Sequence, residues 1–210
     1  MLNKLKNQYR YRNTDLFFCQ NSEEYSYSLN QEYLTEMAHE AAKIAFFQAF
    51  DINQRNIKSA FYEHFIDVLG KKITVEKMRI ERIGSMPAIY CPMSNSLVFI
   101  KSGGSKCGKN INASANDILP SQLGKKVQAR IDNPHRSLAA ITPPKIYFLL
   151  FRYDKDEKRF YCELSVPELV SNNKVIVWRD RLITPYSDFQ YLFPGNAAND
   201  AEIFNYQEKR

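Results

Sequence analysis

Apolar residues recur at helical spacing through Leu34, Met37, Ala38, Ala41, Ala45, Phe46 and Ala49. Ser28-Leu29-Asn30-Gln31 precedes them with capping-box spacing, so the helix is expected to start at Ser28 and end near Phe50. A second stripe, Ile57, Ala60, Phe61, Phe65, Val68 and Leu69, predicts another helix. Asp51 or Asn53 would cap it, and Gly70 would end it as the C′ residue. Residues 28–70 therefore read as two antiparallel helices.

From Lys71 the period shortens to that of strands. Ile73-Thr74-Val75 and Met78-Arg79-Ile80 alternate, and Ile89 to Cys91 and Leu97 to Ile100 are short apolar runs. Residues 101–124 hold Gly103, Gly104, Gly108 and Gly124 with little periodicity, which predicts a long functional or mobile loop. Lys126 to Ile131 reads as a strand and Asn133-Pro134 as a turn. Ile146 to Phe151 predicts a buried strand, followed by a polar hairpin turn over Asp154 to Lys158. Phe160, Cys162, Leu164 and Val166 then alternate with Tyr161, Glu163 and Ser165 until Pro167, which should end that strand. Asn172-Asn173 predicts a turn, and Lys174 to Ile183 the next strand. The expected class is α+β, a helical pair packed on a mostly antiparallel or mixed sheet. We expect one domain over 1–210: a basic arm at 1–27, helices at 28–70, the sheet with its basic loop at 71–185, and an irregular tail at 186–210.

Composition fits this picture. A 13% aromatic content and a 44% hydrophobic content argue against a disordered chain, and 210 residues suffice for a core without crosslinks. The longest apolar run is too short to span a bilayer, and the first residues lack the apolar segment of a secretory signal, so a cytoplasmic protein is expected. Cys19, Cys91, Cys107 and Cys162 have no metal or redox spacing and are expected to be reduced thiols, mostly buried.

Charge adds a functional expectation. The net charge is +6, unevenly spread. Residues 1–12 hold Lys4, Lys6, Arg10 and Arg12 with no acid. Residues 101–136 hold Lys101, Lys106, Lys109, Lys125, Lys126, Arg130 and Arg136 against Asp117 and Asp132. The rest of the chain is net acidic. Such separation suits a polyanion-binding face, because each neutralised phosphate releases a condensed counterion. Arg10, Arg12 and the seven cations of 101–136 are the expected DNA contacts.

Several constellations bear on chemistry. Gly103 to Asn110 fits G-x-x-x-x-G-K, but Asn110 stands where the magnesium-holding hydroxyl of a nucleotide loop belongs, so a phosphate-gripping loop is the simpler reading. Glu63, His64 and Asp67 share a helical face, where His64 reads as a core histidine satisfied by a carboxylate. His39 reads as surface. His135 lies between Arg130 and Arg136; it reads as a turn residue touching phosphate or water, or as an acid/base group oriented by Asp132. Glu163 projects from a predicted strand, as a magnesium-holding carboxylate would. Asp156-x-Lys158 has nuclease spacing but falls in a hairpin turn.

Asn112-Ala-Ser-Ala-Asn-Asp-Ile-Leu-Pro-Ser-Gln-Leu-Gly124 behind the Gly/Lys loop, and Pro144-Lys-Ile-Tyr-Phe-Leu-Leu-Phe-Arg-Tyr-Asp154, resemble segments of small type II restriction endonucleases. The resemblance covers about a quarter of the chain and leaves the metal-binding acid cluster of that class unplaced. It implies a homodimer that reads a short palindrome in double-stranded DNA and cleaves it with Mg2+. Glu163 is then the expected metal ligand, with Asp132 and His135 the other catalytic candidates. A metal-independent enzyme that excises a base, a non-enzymatic DNA-binding regulator, and a nucleotide-binding enzyme using 103–109 are the alternatives.

Overall fold

The structure, a computed structural model, describes residues 30–52, 57–74, 78–133 and 143–190. Two helices, α1 (Gln31–Ile52) and α2 (Ile57–Thr74), come first. The strands follow: β1 (Arg79–Ile83), β2 (Met86–Cys91) and β3 (Ser96–Ser102), then β4 (Lys145–Asp154), β5 (Arg159–Ser171), β6 (Lys174–Ile183) and a short β7 (Ser187–Asp188). Two short helices, α3 (Ala115–Ile118) and α4 (Lys125–Asp132), lie between β3 and β4. The strands form one sheet in the order β1-β2-β3-β4-β5-β6, with β7 also paired to β5. The β3–β4 pair is parallel and the other pairs are antiparallel. This is the expected α+β architecture with a mixed sheet.

Each face of the sheet carries its own core, and strand alternation decides which residue goes where. Val98, Ile100, Leu149, Phe151, Phe160, Cys162 and Leu164 pack under α1 and α2, against Leu34, Ala38, Ala45, Phe46, Phe65 and Leu69. Leu97, Phe99, Phe148 and Leu150 point the other way, against Cys107, Ile118, Leu119, Leu123 and Val127 of the 103–127 connection and α4. The segment expected to be a long functional or mobile loop is therefore a packed layer that covers the second face.

Several boundaries differ from the sequence reading. Asn30 caps α1, its Oδ1 accepting the Tyr33 N–H at 2.9 Å, whereas Ser28 lies outside the described residues. The helix α2 runs through Gly70 to Thr74, so Ile73 and Thr74 of the expected strand are helical and Val75 lies outside the described residues. Gly70 serves close packing instead of termination, since a Cβ there would stand 3.2 Å from Ile80 Cδ1. The strand expected at Lys126 to Ile131 is the helix α4. Val127, Ala129 and Ile131 alternate, but Val127 and Ile131 are also one helical turn apart, and the helical choice buries Val127. Pro167 does not end β5. The strand continues to Ser171 through register shifts between Val166 and Val170, the kind of bulge where a strand proline is tolerated. Asn172 and Asn173 make the expected turn with φ of 52° and 60°. Part of the tail expected to be irregular pairs with β5 as β7. The expected arm at 1–27 lies outside the described residues. No helix among the described residues is long and apolar enough to cross a membrane.

Candidate functional site

The glycine-rich segment and the β4–β5 hairpin meet on the second face of the sheet. Glu163 on β5 has the face opposite to Cys162 and Leu164, which places its carboxylate under this segment. It is fully buried, and protein donors take both of its oxygens. Oε1 accepts from the Ser165 hydroxyl at 2.9 Å and from Arg181 Nε at 3.2 Å. Oε2 accepts from the Gly108 amide at 2.7 Å and from Arg181 Nη2 at 2.6 Å. The guanidinium of Arg181, on β6, also donates through Nη1 to the carbonyls of Asn110 and Ile111, at 2.8 and 2.7 Å. The pair thus fastens the glycine segment to two strands. Glu163 does not fit a magnesium site, because its lone pairs already serve four donors.

The segment is not a phosphate cradle either. The amides of Gly103 and Gly104 donate to the carbonyls of Phe151 and Ile118, each at 2.7 Å. Those of Lys106, Cys107, Lys109 and Asn110 donate to Asp117, Gly104, Lys106 and Lys106 carbonyls, and that of Gly108 to Glu163. A nest for an anion needs these amides free and convergent. The glycines instead permit close approach: a Cβ on Gly103 would lie 2.3 Å from Cys107 Sγ, and one on Gly104 2.3 Å from the Asp117 carbonyl.

Beside this latch lies a second charged group. Lys109 Nζ stands 3.1 Å from Asp154 Oδ2 and 2.5 Å from Glu157 Oε1, and 4.5 Å from the centre of the Tyr161 ring. The Tyr161 hydroxyl donates to Glu157 Oε2. Arg152 Nη2 reaches Asp154 Oδ2 at 2.9 Å, and Asp154 Oδ1 accepts the amides of Asp156 and Glu157. Arg159 sits 4.2 Å from the centre of the Tyr186 ring and 3.7 Å from Glu157 Oε2. Burial pushes the Asp154 carboxyl up, but the bonds from Lys109 and the Glu157 amide outweigh it and hold it below its ordinary value. Glu157 is likewise lowered, chiefly by the Lys109 bond. Burial lowers Lys109, yet its two carboxylate bonds raise it on balance. Tyr161 is raised, by burial and by its bond to Glu157. All of these groups are held in one protonation state at neutral pH. Glu157 is 38% exposed, so the cluster opens to solvent on one side.

The remaining expected residues divide clearly. Lys106, Lys125 and Lys126 are exposed. Lys101 is half-buried, with its ammonium on the Gln122 carbonyl at 2.8 Å and burial pulling its pKa down. Arg130 is buried. Asp132 is exposed and accepts from Gln128 of its own helix, so Glu163 and Asp132 have separate partners. Arg10, Arg12, His135 and Arg136 lie outside the described residues. Asp67 pairs with Lys71 at 2.8 Å, and His64 is half-buried. His39, expected at the surface, is clamped between Ser187 and Thr184, at 2.8 Å from each hydroxyl. Cys91, Cys107 and Cys162 are free and buried, as expected, and Cys19 lies outside the described residues.

Sequence reasoning misses Arg152, Asp154, Glu157 and Arg181 as site residues. The spacing of Asp154 and Glu157 is visible in the hairpin turn, but nothing local announces that Lys109, 45 residues away, bridges them. Among the described residues, no group of three or more His, Cys, Asp or Glu is arranged to hold a metal. No family model matches this chain, and neither does any curated protein or solved structure compared with it.

Proposed function

We propose that this chain binds double-stranded DNA on the sheet face that carries the glycine-rich segment and α4, as a homodimeric protein of the type II restriction endonuclease kind. The observation that carries the reading is α4 itself. It exposes Lys125 and Lys126, has no acid in its first turn, and follows a segment that exposes Lys106. Solvated ammonium groups on one face suit phosphate contacts that position a duplex. A K125E/K126E variant should bind a mixed-sequence duplex at least ~10-fold more weakly. The slope of log affinity against log salt should fall by about 1 for each phosphate no longer neutralised. An unchanged affinity and slope would remove α4 from the interface.

A second reading, phosphodiester cleavage, is favoured by one observation: Asp154 and Glu157 converge on Lys109 beside that face. Two carboxylates are a common protein share of a magnesium site, and the ion would polarise a phosphoryl oxygen. Glu157, open to solvent on one side, fits that role; Asp154, like Glu163, already serves four donors and would have to give up its Lys109 or Arg152 bond to reach an ion. Lys109 would then neutralise charge on the phosphate. Plasmid DNA incubated with magnesium should give discrete fragments, which E157Q abolishes while keeping duplex affinity. Cutting that survives a chelator would point to base excision instead, and binding without scission under any metal to a regulator.

A further inference from the structure

We infer that Arg130 takes up a phosphate group as the acceptor its guanidinium lacks. Arg130 is 7% exposed, and Nε, Nη1 and Nη2 are all buried without a hydrogen-bond partner among the described residues. A guanidinium does not shed its proton, so it cannot relieve this by neutralising, and a buried unpaired charge is strongly unfavourable. The contrast with Arg181 is internal to the molecule. That side chain, equally sequestered, has Glu163 and two carbonyls as acceptors. Arg130 has five donors in a planar fork, and no described residue accepts from them.

Nothing on its own helix supplies the missing acceptor. The first turn of α4 holds no acid, and Asp132 is exposed and bonded to Gln128. Lys126, one helical turn before Arg130, adds a second cation on the same side of α4. A planar fork with an ammonium group one turn away matches a multiply charged oxyanion that offers two oxygens to the fork, which is the chemistry of phosphate. Because all three nitrogens are buried, a phosphate engages the fork only when the side chain turns outward from its packed position. The group comes from a duplex backbone or from free phosphate. The inference rests on the DNA-binding reading only in naming the first source.

The test is thermal unfolding of the full chain in sodium phosphate and in sodium chloride of matched ionic strength, with R130M and R130K. Phosphate well above its Kd should raise the wild-type midpoint by on the order of 5 °C. R130M should lose that rise, and its midpoint in chloride should equal or exceed that of the wild type, because an apolar side chain removes the unpaired charge. R130K keeps the charge without the fork and should keep only part of the rise. No rise in the wild type, or an equal rise in R130M, overturns the proposal. Should R130M not fold, an undiminished rise in R130K overturns it. Anisotropy titration of a short duplex assigns the source. If R130M also weakens duplex binding, the phosphate belongs to DNA; if duplex binding is unchanged, the site takes free phosphate. A chain that ignores duplex yet keeps the Arg130-dependent rise would sink the DNA-binding reading and leave this one standing.

Discussion

Arg181 on β6 and Glu163 on β5 form a two-point ion pair, with Nε 3.2 Å from Oε1 and Nη2 2.6 Å from Oε2, and neither side chain is more than 5% exposed. The pair joins two strands to the segment that covers them, through the Gly108 amide and the Asn110 and Ile111 carbonyls. Truncating one partner leaves the other charge buried, so E163A should lose about 3–5 kcal/mol by urea unfolding. The double variant E163L/R181M should lose clearly less than the two single variants together, since apolar side chains of similar size leave no orphaned charge. A loss below ~1 kcal/mol for E163A would mean that the pair does not hold the segment.

The glycine-rich segment makes an independent test of packing against phosphate binding. A Cβ on Gly104 meets the Asp117 carbonyl at 2.3 Å and Pro120 Cδ at 2.8 Å, and a backbone carbonyl cannot swing aside. G104A should cost about 1–3 kcal/mol in urea unfolding, whereas S105A, at an exposed position, should stay within ~0.5 kcal/mol. ATP should not raise the melting midpoint of the wild-type chain through this segment. A nucleotide-dependent rise that G104A removes would restore the nucleotide-loop reading.

Periodicity makes the helical pair and the sheet legible, because both are amphipathic over many residues. Lys174 to Ile183 is legible to its ends, helped by an Asn-Asn turn that tolerates positive φ. The misreadings lie where a local signal competes with a tertiary one. Gly70 looks like a terminator, but β1 packs against it and the helix runs on. Pro167 looks like an end, but a bulge absorbs it. Alternation along β5 puts Glu163 on the polar face of a half-buried strand. What alternation cannot report is the second layer that buries Tyr161, Glu163 and Ser165 as well. The partners of Glu163 and Lys109 come from segments 18 and 45 residues away, a separation that no sequence window spans.

The cap of α1 is a small, clean prediction. Asn30 Oδ1 accepts the Tyr33 N–H at 2.9 Å, and the Asn30 carbonyl accepts from the Leu34 amide at 3.1 Å. N30A should cost about 1 kcal/mol of stability, and N30D should cost less than N30A because aspartate also caps and favours the helix dipole. An unchanged urea midpoint in N30A would show that α1 is held by its packing alone.

His39 sets an acid limit on stability. The Thr184 hydroxyl has one proton and donates it to the Cys162 carbonyl at 3.0 Å, so its oxygen must accept from His39 Nε2–H. Nδ1 is then the bare nitrogen and accepts from the Ser187 hydroxyl. The imidazole is neutral, and burial, followed by the charge of Lys43, lowers its pKa from 6.5 to about 4. The unfolded chain takes up this proton near pH 6.5 while the folded chain resists until about pH 4. The unfolded state therefore binds more protons across that window, and the contribution is full above pH 6.5 and lost as pH falls toward 4. It amounts to at most about 3 kcal/mol, at roughly 1.36 kcal/mol per pKa unit. Carboxylates titrate over part of the same range, so the comparison has to be with a variant. H39Q keeps a polar side chain without the titration and should be less stable than the wild type at about pH 7.5, by the lost clamp. That gap should narrow by ~2–3 kcal/mol between about pH 7 and pH 4.5 in urea unfolding. Parallel stability curves for the two proteins would show that His39 does not titrate on unfolding in this range.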